Sequence, residues 1–180
     1  MQVRKTSLEG LYVIDLDVFA DDRGSFREVW QAEKMTAAGL PEFQPVQQSV
    51  SVSKKGVIRG IHAEPWEKLI HLTYGTAFAA MVDLREDSPT FGQCETIWLN
   101  EKTALLAARG FGNSFQVTSE IGIYSYLVTA HWRPDGVYSM VRFDDPDLAI
   151  SWPILGGEEV VSEKDRNHPT LREAFPHKFS

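Results

Sequence analysis

Short runs rich in Val, Ile, Leu, Phe, Tyr and Thr, each closed by a turn signal, constrain this chain more than any other feature. They fall at residues 11–16, 44–52, 69–74, 78–84, 93–99, 103–107, 114–118, 122–129 and 138–143. Runs this short with turns between them pair as antiparallel strands, whereas repeated βαβ units require an amphipathic helix after each strand. Residues 31–38 read as a short helix, and 169–175 add a turn near the end. The pattern predicts an all-β sandwich or jelly roll with short peripheral helices. At 180 residues it predicts one domain, residues 1–180, without repeat, low-complexity tract or linker.

Composition narrows the functions open to such a fold. The chain is 43% hydrophobic and 24% charged, within the globular range. It has no long apolar run, and the opening Met-Gln-Val-Arg-Lys-Thr-Ser-Leu lacks a signal core, so a cytoplasmic chain away from the membrane is expected. A net charge of −7 argues against a broad nucleic-acid surface. Local cations can still override that diffuse field, and Arg23, Arg59 and Lys68 are candidates to hold one anionic ligand. The single cysteine, Cys94, excludes an internal disulfide and reads as a strand thiol.

The chemistry concentrates in Arg59-Gly-Ile-His-Ala-Glu-Pro-Trp-Glu-Lys68 and, far downstream, Ser162-Glu-Lys-Asp165. An imidazole, an ammonium and a carboxylate suffice to remove a proton beside a carbonyl and to hold the enolate that forms. Arg59 and His62 fall on opposite faces of a regular strand, and Gly60 offers a bulge or a strand end that relieves the conflict. Asp83 shares a face with Ala79, Met81 and Arg85. If that face is inward the carboxylate needs a partner, either Arg85 in an ion pair or a role in a pocket. Tyr126 alternates with Leu127, a pattern that serves cross-strand packing as readily as catalysis.

Larger motifs stand in a definite order: Asp21-Asp-Arg-Gly-Ser-Phe-Arg-Glu28, Arg59-Gly-Ile-His62, Val82-Asp-Leu-Arg85, Ser88-Pro-Thr-Phe-Gly92, Tyr126, Asp144-Asp-Pro-Asp-Leu-Ala-Ile-Ser-Trp-Pro153 and Ser162-Glu-Lys-Asp165. Over nearly the whole chain this order resembles the dTDP-4-dehydrorhamnose 3,5-epimerases. The resemblance implies a cupin-type double-stranded β-helix, or jelly roll, and a homodimer whose N-terminal segment is exchanged. It implies inversion of C3 and C5 of dTDP-4-dehydro-6-deoxy-D-glucose without a cofactor, the ketone product passing to a separate NADPH-dependent reductase.

By the same resemblance His62 is the base, oriented by Asp165. Lys68 stabilises charge on O4, and Tyr126 donates a proton from the opposite face. Arg59 meets the diphosphate and Gln47 the sugar nucleotide. Arg23, Phe26 and Glu28 come from the other subunit to the thymidine end, Asn113 and Trp132 join the substrate contacts, and Asp83 supports the site from behind. The chain departs from the common pattern in having Asn113 for a histidine, Ser49 for an asparagine and His131-Trp132 for a tyrosine pair. Together with the His-Ala-Glu-Pro-Trp stretch, these resemble a branch of the same epimerases that includes fusions to the reductase. An epimerase acting at one centre or on another nucleotide keto sugar, and a noncatalytic sugar-nucleotide-binding cupin, remain alternatives. The histidines, His62, His71, His131, His168 and His177, show no compact two-histidine ligand cluster along the sequence, so no metal is expected.

Overall fold

The computed structural model describes residues 1–179. In chain order the strands are β1 (Gln2–Lys5), β2 (Leu11–Asp15), β3 (Phe19–Asp21), β4 (Gly24–Phe26), β5 (Gln47–Lys54), β6 (Val57–Ala63), β7 (Lys68–Tyr74), β8 (Ala77–Asp83), β9 (Cys94–Leu99), β10 (Thr103–Ala107), β11 (Phe111–Val117), β12 (Ile121–Val128), β13 (Ser139–Val141) and β14 (Val160–Val161). One sheet runs β1-β2-β10-β7-β12-β5 and the other β13-β6-β11-β8-β9. Chain neighbours such as β7 and β8 lie in different sheets. This crossing between two sheets, antiparallel except where the short β14 joins β6, makes the fold a cupin-type jelly roll.

Alternation along the strands builds the core. Ile70 and Leu72 of β7, Ala79 and Met81 of β8, Leu105 of β10, Phe115 and Val117 of β11 and Tyr124 of β12 are buried in one cluster between the sheets. At Gly75, between β7 and β8, the backbone has φ +88°, and a Cβ there would stand 2.3 Å from the Ile121 carbonyl oxygen. A side chain at that turn is excluded twice over.

The outer faces are covered by peripheral segments. Helix α1 (Ala32–Ala37) begins where the Gln31 side chain accepts from Lys34 N, and it buries Met35 with Leu40 and Phe43 against Ile14, Leu69 and Leu106. Helices α2 (Glu163–Arg166) and α3 (Leu171–Ala174) belong to the segment that covers the second sheet, and α3 carries a capping box between Thr170 and Glu173. Among the described residues no helix is long and apolar enough to cross a membrane. The runs foreseen from sequence recur with shifted ends: 44–52 is displaced to Gln47–Lys54, and 103–107 coincides with β10. The weakly patterned β1, the β3–β4 hairpin, β6, the two-residue β14 and α2 fall outside those runs.

Candidate active site

The site begins with a parallel pairing. Val160 and Val161 of β14 lie beside Val57 and Ile58 of β6, so the chain after them is delivered next to the middle of β6. There Ser162 caps α2 by accepting from Asp165 N at 3.0 Å. The Asp165 carboxylate faces β6 at Gly60, where a Cβ would come within 2.8 Å of Asp165 Oδ1. Glycine thus admits the carboxylate to His62, whose Nε2 lies 2.7 Å from Oδ1. Burial works to raise the Asp165 pKa, but the hydrogen bond and charge of His62, with bonds from Ser162 and the Gly60 backbone, outweigh it and hold the group far down as a carboxylate.

The parity conflict between Arg59 and His62 is resolved by the bulge that Gly60 permits. His62 pairs with Asn113 and Arg59 with Phe115, so three residue steps on β6 match two on β11. Both side chains therefore line one cavity of about 160 Å³, with Ser51, Glu64, Lys68, Asn113, Phe115, Tyr126 and Asp165. Arg59 Nε also reaches Ser53 Oγ at 3.2 Å.

The wall opposite His62 comes from the other sheet. Lys68 opens β7, and Tyr126 lies on β12, with the Lys68 ammonium 5.2 Å from the tyrosine ring centre. Lys68 is buried and pairs with Glu64. Burial lowers the lysine pKa, and the Glu64 charge offsets part of that loss. Burial also raises the Tyr126 pKa; a hydrogen bond with Ser49 opposes the rise, while Glu64 adds to it. Tyr126 is therefore protonated at neutral pH and able to act as an acid. Beneath these groups Tyr124 stacks on Phe115 at 3.7 Å and donates to Asn113 Oδ1 at 2.8 Å, leaving the Asn113 amide nitrogen for the cavity. A second hollow of about 360 Å³ shares Glu64 and Tyr126 and adds Gln47, Ser49 and Trp132. Gln47 Oε1 accepts there from Trp132 N at 3.0 Å.

Four expected residues lie apart from this cluster. Arg23 pairs with Asp21 on the β3–β4 hairpin, Phe26 on the same hairpin is 65% exposed, and Glu28 pairs with Lys34. Asp83 accepts from Arg85 Nε at 2.8 Å, Ser88 Oγ at 2.5 Å and Thr90 Oγ1 at 2.6 Å, none of which lines the cavity. Burial raises its pKa, but these donors prevail and bring it down to about 2. Of the two readings open for Asp83, the ion pair with Arg85 is the one the structure supports. A larger hollow of about 670 Å³ lies at the other end of β7, around Tyr74, without such a cluster.

The expectation that the histidines form no compact group is corrected here. The ligand-type atoms of His62, Asp165 and His168 lie within 4.8 Å of one another. His62 and His168 stand 106 positions apart, so nothing local links them; the i,i+3 spacing of His168 from Asp165 is the signal that the sequence holds. The contacts are those of hydrogen bonds, since the 2.7 Å His62–Asp165 separation is shorter than the roughly 3.4 Å between two ligands tetrahedrally disposed on a zinc ion.

Taken together, an imidazole held by a carboxylate faces, across one cavity, a buried ammonium and a protonated phenol. Such a site can take a proton from carbon beside a ketone and return one from the other side. The comparisons with known proteins agree with that chemistry. Residues 5–173 match the family model for dTDP-4-dehydrorhamnose 3,5-epimerase. A protein of Streptococcus pyogenes serotype M6 named as an RmlC homolog is 42% identical, over 94% of this chain and 88% of its own. A dTDP-4-dehydrorhamnose 3,5-epimerase of Methanothermobacter thermautotrophicus is 35% identical over 94% of each chain. The structure of RmlC from Streptococcus suis in complex with dTDP-D-xylose superposes with a TM-score of 0.91 at 39% identity, covering 96% of this chain and 92% of that one.

Proposed function

Because the chain belongs to the dTDP-4-dehydrorhamnose 3,5-epimerase family, we propose that it inverts C3 and C5 of dTDP-4-dehydro-6-deoxy-D-glucose to give dTDP-4-dehydro-L-rhamnose, in the cytoplasm and ahead of a separate NADPH-dependent reductase. The observation that carries this is the placing of His62 on one sheet and of Lys68 and Tyr126 on the other, around one cavity.

Both centres flank the C4 ketone, so one enolate-stabilising arrangement serves each in turn. His62 donates from Nε2 to Asp165, which leaves the Nδ1 lone pair as the base. It takes the proton from carbon, and the electron pair moves onto O4 beside the Lys68 ammonium. Tyr126 then gives its proton to carbon from the other face, and exchange with solvent resets both groups. Only protons change place, so no redox cofactor enters. Proton NMR of the keto sugar nucleotide in deuterium oxide tests this: deuterium is expected at both C3 and C5, with the L-sugar accumulating. Exchange at C3 alone would make the protein a 3-epimerase, and no exchange would leave a binding protein.

The nucleotide end of the site is completed by a second copy of the chain. The support is the β3–β4 hairpin, whose Phe19 and Phe26 are 63% and 65% exposed and whose Arg23 lies outside the cavity of its own chain. An aromatic that stacks on a base and a guanidinium that forks onto phosphate are the groups a nucleotide calls for. A double variant, Arg23→Ala with Phe26→Ala, is expected to weaken dTDP binding about 10- to 100-fold, on the scale of one lost charged hydrogen bond. Mixing it with a His62→Gln variant should restore activity, because one site of the mixed dimer then has both a base and a complete hairpin. Lack of restoration in a mixed dimer excludes the exchanged site.

A further inference from the structure

Asp165 Oδ1 receives two imidazoles. His62 Nε2 lies 2.7 Å from it and His168 Nε2 3.1 Å, and the two rings meet edge-on with centroids 5.5 Å apart. The His168 side chain is 9% exposed and is not among the residues lining the cavity, which leaves it without a direct role toward substrate. Its position is secured on both sides. It directly follows α2 and Asn167, and just beyond it Pro169 O accepts from Arg142 N at 2.9 Å while Leu171 N donates to Asp145 Oδ2 at 2.7 Å.

Resting on the reading of His62 as the base, we propose that His168 is a positioning residue that shares the Asp165 carboxylate with His62, so that Asp165 orients the base without holding its acquired proton too firmly. A carboxylate that accepts from two N–H groups is a weaker base than one that accepts from one. Ser162 and the Gly60 backbone already bond to this carboxylate; without the further bond from His168 it would stabilise the imidazolium more strongly once His62 has taken a proton from carbon, and slow its reset. The second bond also fixes the rotation of Asp165 about its side chain, and with it the plane of the His62 ring. His168 suits the task as a neutral donor: burial and the facing His62 lower its pKa, Asp165 opposes them, and Lys164 adds to the lowering. The other charged or titratable groups around His62 are Arg59 and Glu64 from its own strand and the loop after it, Lys68 from β7 and Tyr126 from β12. All of them stay in place when His168 alone is changed.

Two measurements test the arrangement. Nitrogen-15 NMR of the unaltered protein without substrate reads the tautomer directly, and His168 is expected as the Nε2–H form with that proton shifted downfield by Asp165. An Nδ1–H tautomer overturns the proposal whatever the activity of the protein. In kinetics, His168→Phe is expected to lower kcat about tenfold with little change in KM, and to move the acid limb of the kcat/KM profile upward by roughly half a pH unit to one unit. His168→Gln places an amide N–H near the site of Nε2 and should recover most of both effects. A folded Phe variant with the original pH profile, or a Gln variant as impaired as the Phe variant, overturns the shared-carboxylate role. If the unaltered protein exchanges no proton in any 4-keto sugar nucleotide, the epimerase reading fails separately, and the tautomer still decides the hydrogen-bond arrangement.

Discussion

Replacing His62 by Gln is expected to lower turnover by about 10² to 10⁴ while leaving the fold intact, the usual cost of deleting a positioned base. Gln is the informative substitution because its amide can donate to Asp165 as His62 Nε2 does, at 2.7 Å, so the buried carboxylate keeps a partner. The lone pair at Nδ1 is what disappears. Thermal melting should therefore stay close to that of the unaltered protein while epimerisation and deuterium exchange fall together. Near-normal exchange by a folded variant removes His62 from the role of base. Lys68 demands more care. Lys68→Ala leaves Glu64, whose side chain is 14% exposed, without its partner, and stranding one member of a fully buried pair costs about 3 to 5 kcal/mol, an upper bound for this one. A Lys68→Met, Glu64→Gln double variant removes both charges and reads the enolate role with less loss of stability. Its turnover is expected to drop roughly 10² to 10³-fold, the scale of losing a preorganised oxyanion partner.

Tyr126→Phe separates proton removal from inversion. The ring and its packing below Lys68 remain, and the hydroxyl, held protonated by burial and the Glu64 charge against the pull of Ser49, is deleted. Because His62 stands on the facing sheet, the variant can still enolise its substrate, and the enolate is then reprotonated from the side it left. In deuterium oxide the expected result is label at C3 or C5 chiefly with retention, and little L-configured product. If exchange and inversion fall by one factor, the phenol is needed to form the enolate or to seat the substrate, and the opposite-face acid lies elsewhere.

Much of this was legible along the chain because its signals are local. Period-two alternation needs only near neighbours, and it located most of the strands and the inward parity that puts Tyr124 and Tyr126 on one face with the core. The short helix read at 31–38 forms as Ala32–Ala37, with the Gln31 side chain capping it and Met35 buried. Gly60 could be recognised as a place where a strand breaks its alternation, and the bulge is there. The edge strand β1 and the hairpin β3–β4 escaped because exposed strands need no apolar face to announce them. Helix α2 escaped because a four-residue helix is too short for a periodic pattern.

The sequence by itself determined the β architecture, the residue types capable of enolate chemistry and the resemblance to the epimerases, since each rests on identity or on spacing within a few residues. Tertiary structure alone decided which of those residues meet. Asp165 reaches His62 across 103 positions only because β14 pairs in parallel with β6 and Gly60 leaves room for a carboxylate. Asp83, with a parity as favourable as any, is taken instead by Arg85, Ser88 and Thr90. His168, discounted along the chain, is drawn to the same carboxylate oxygen as the base. A hydrogen bond is decided over about 3 Å, and no periodicity in a chain carries distances between residues that only folding brings together.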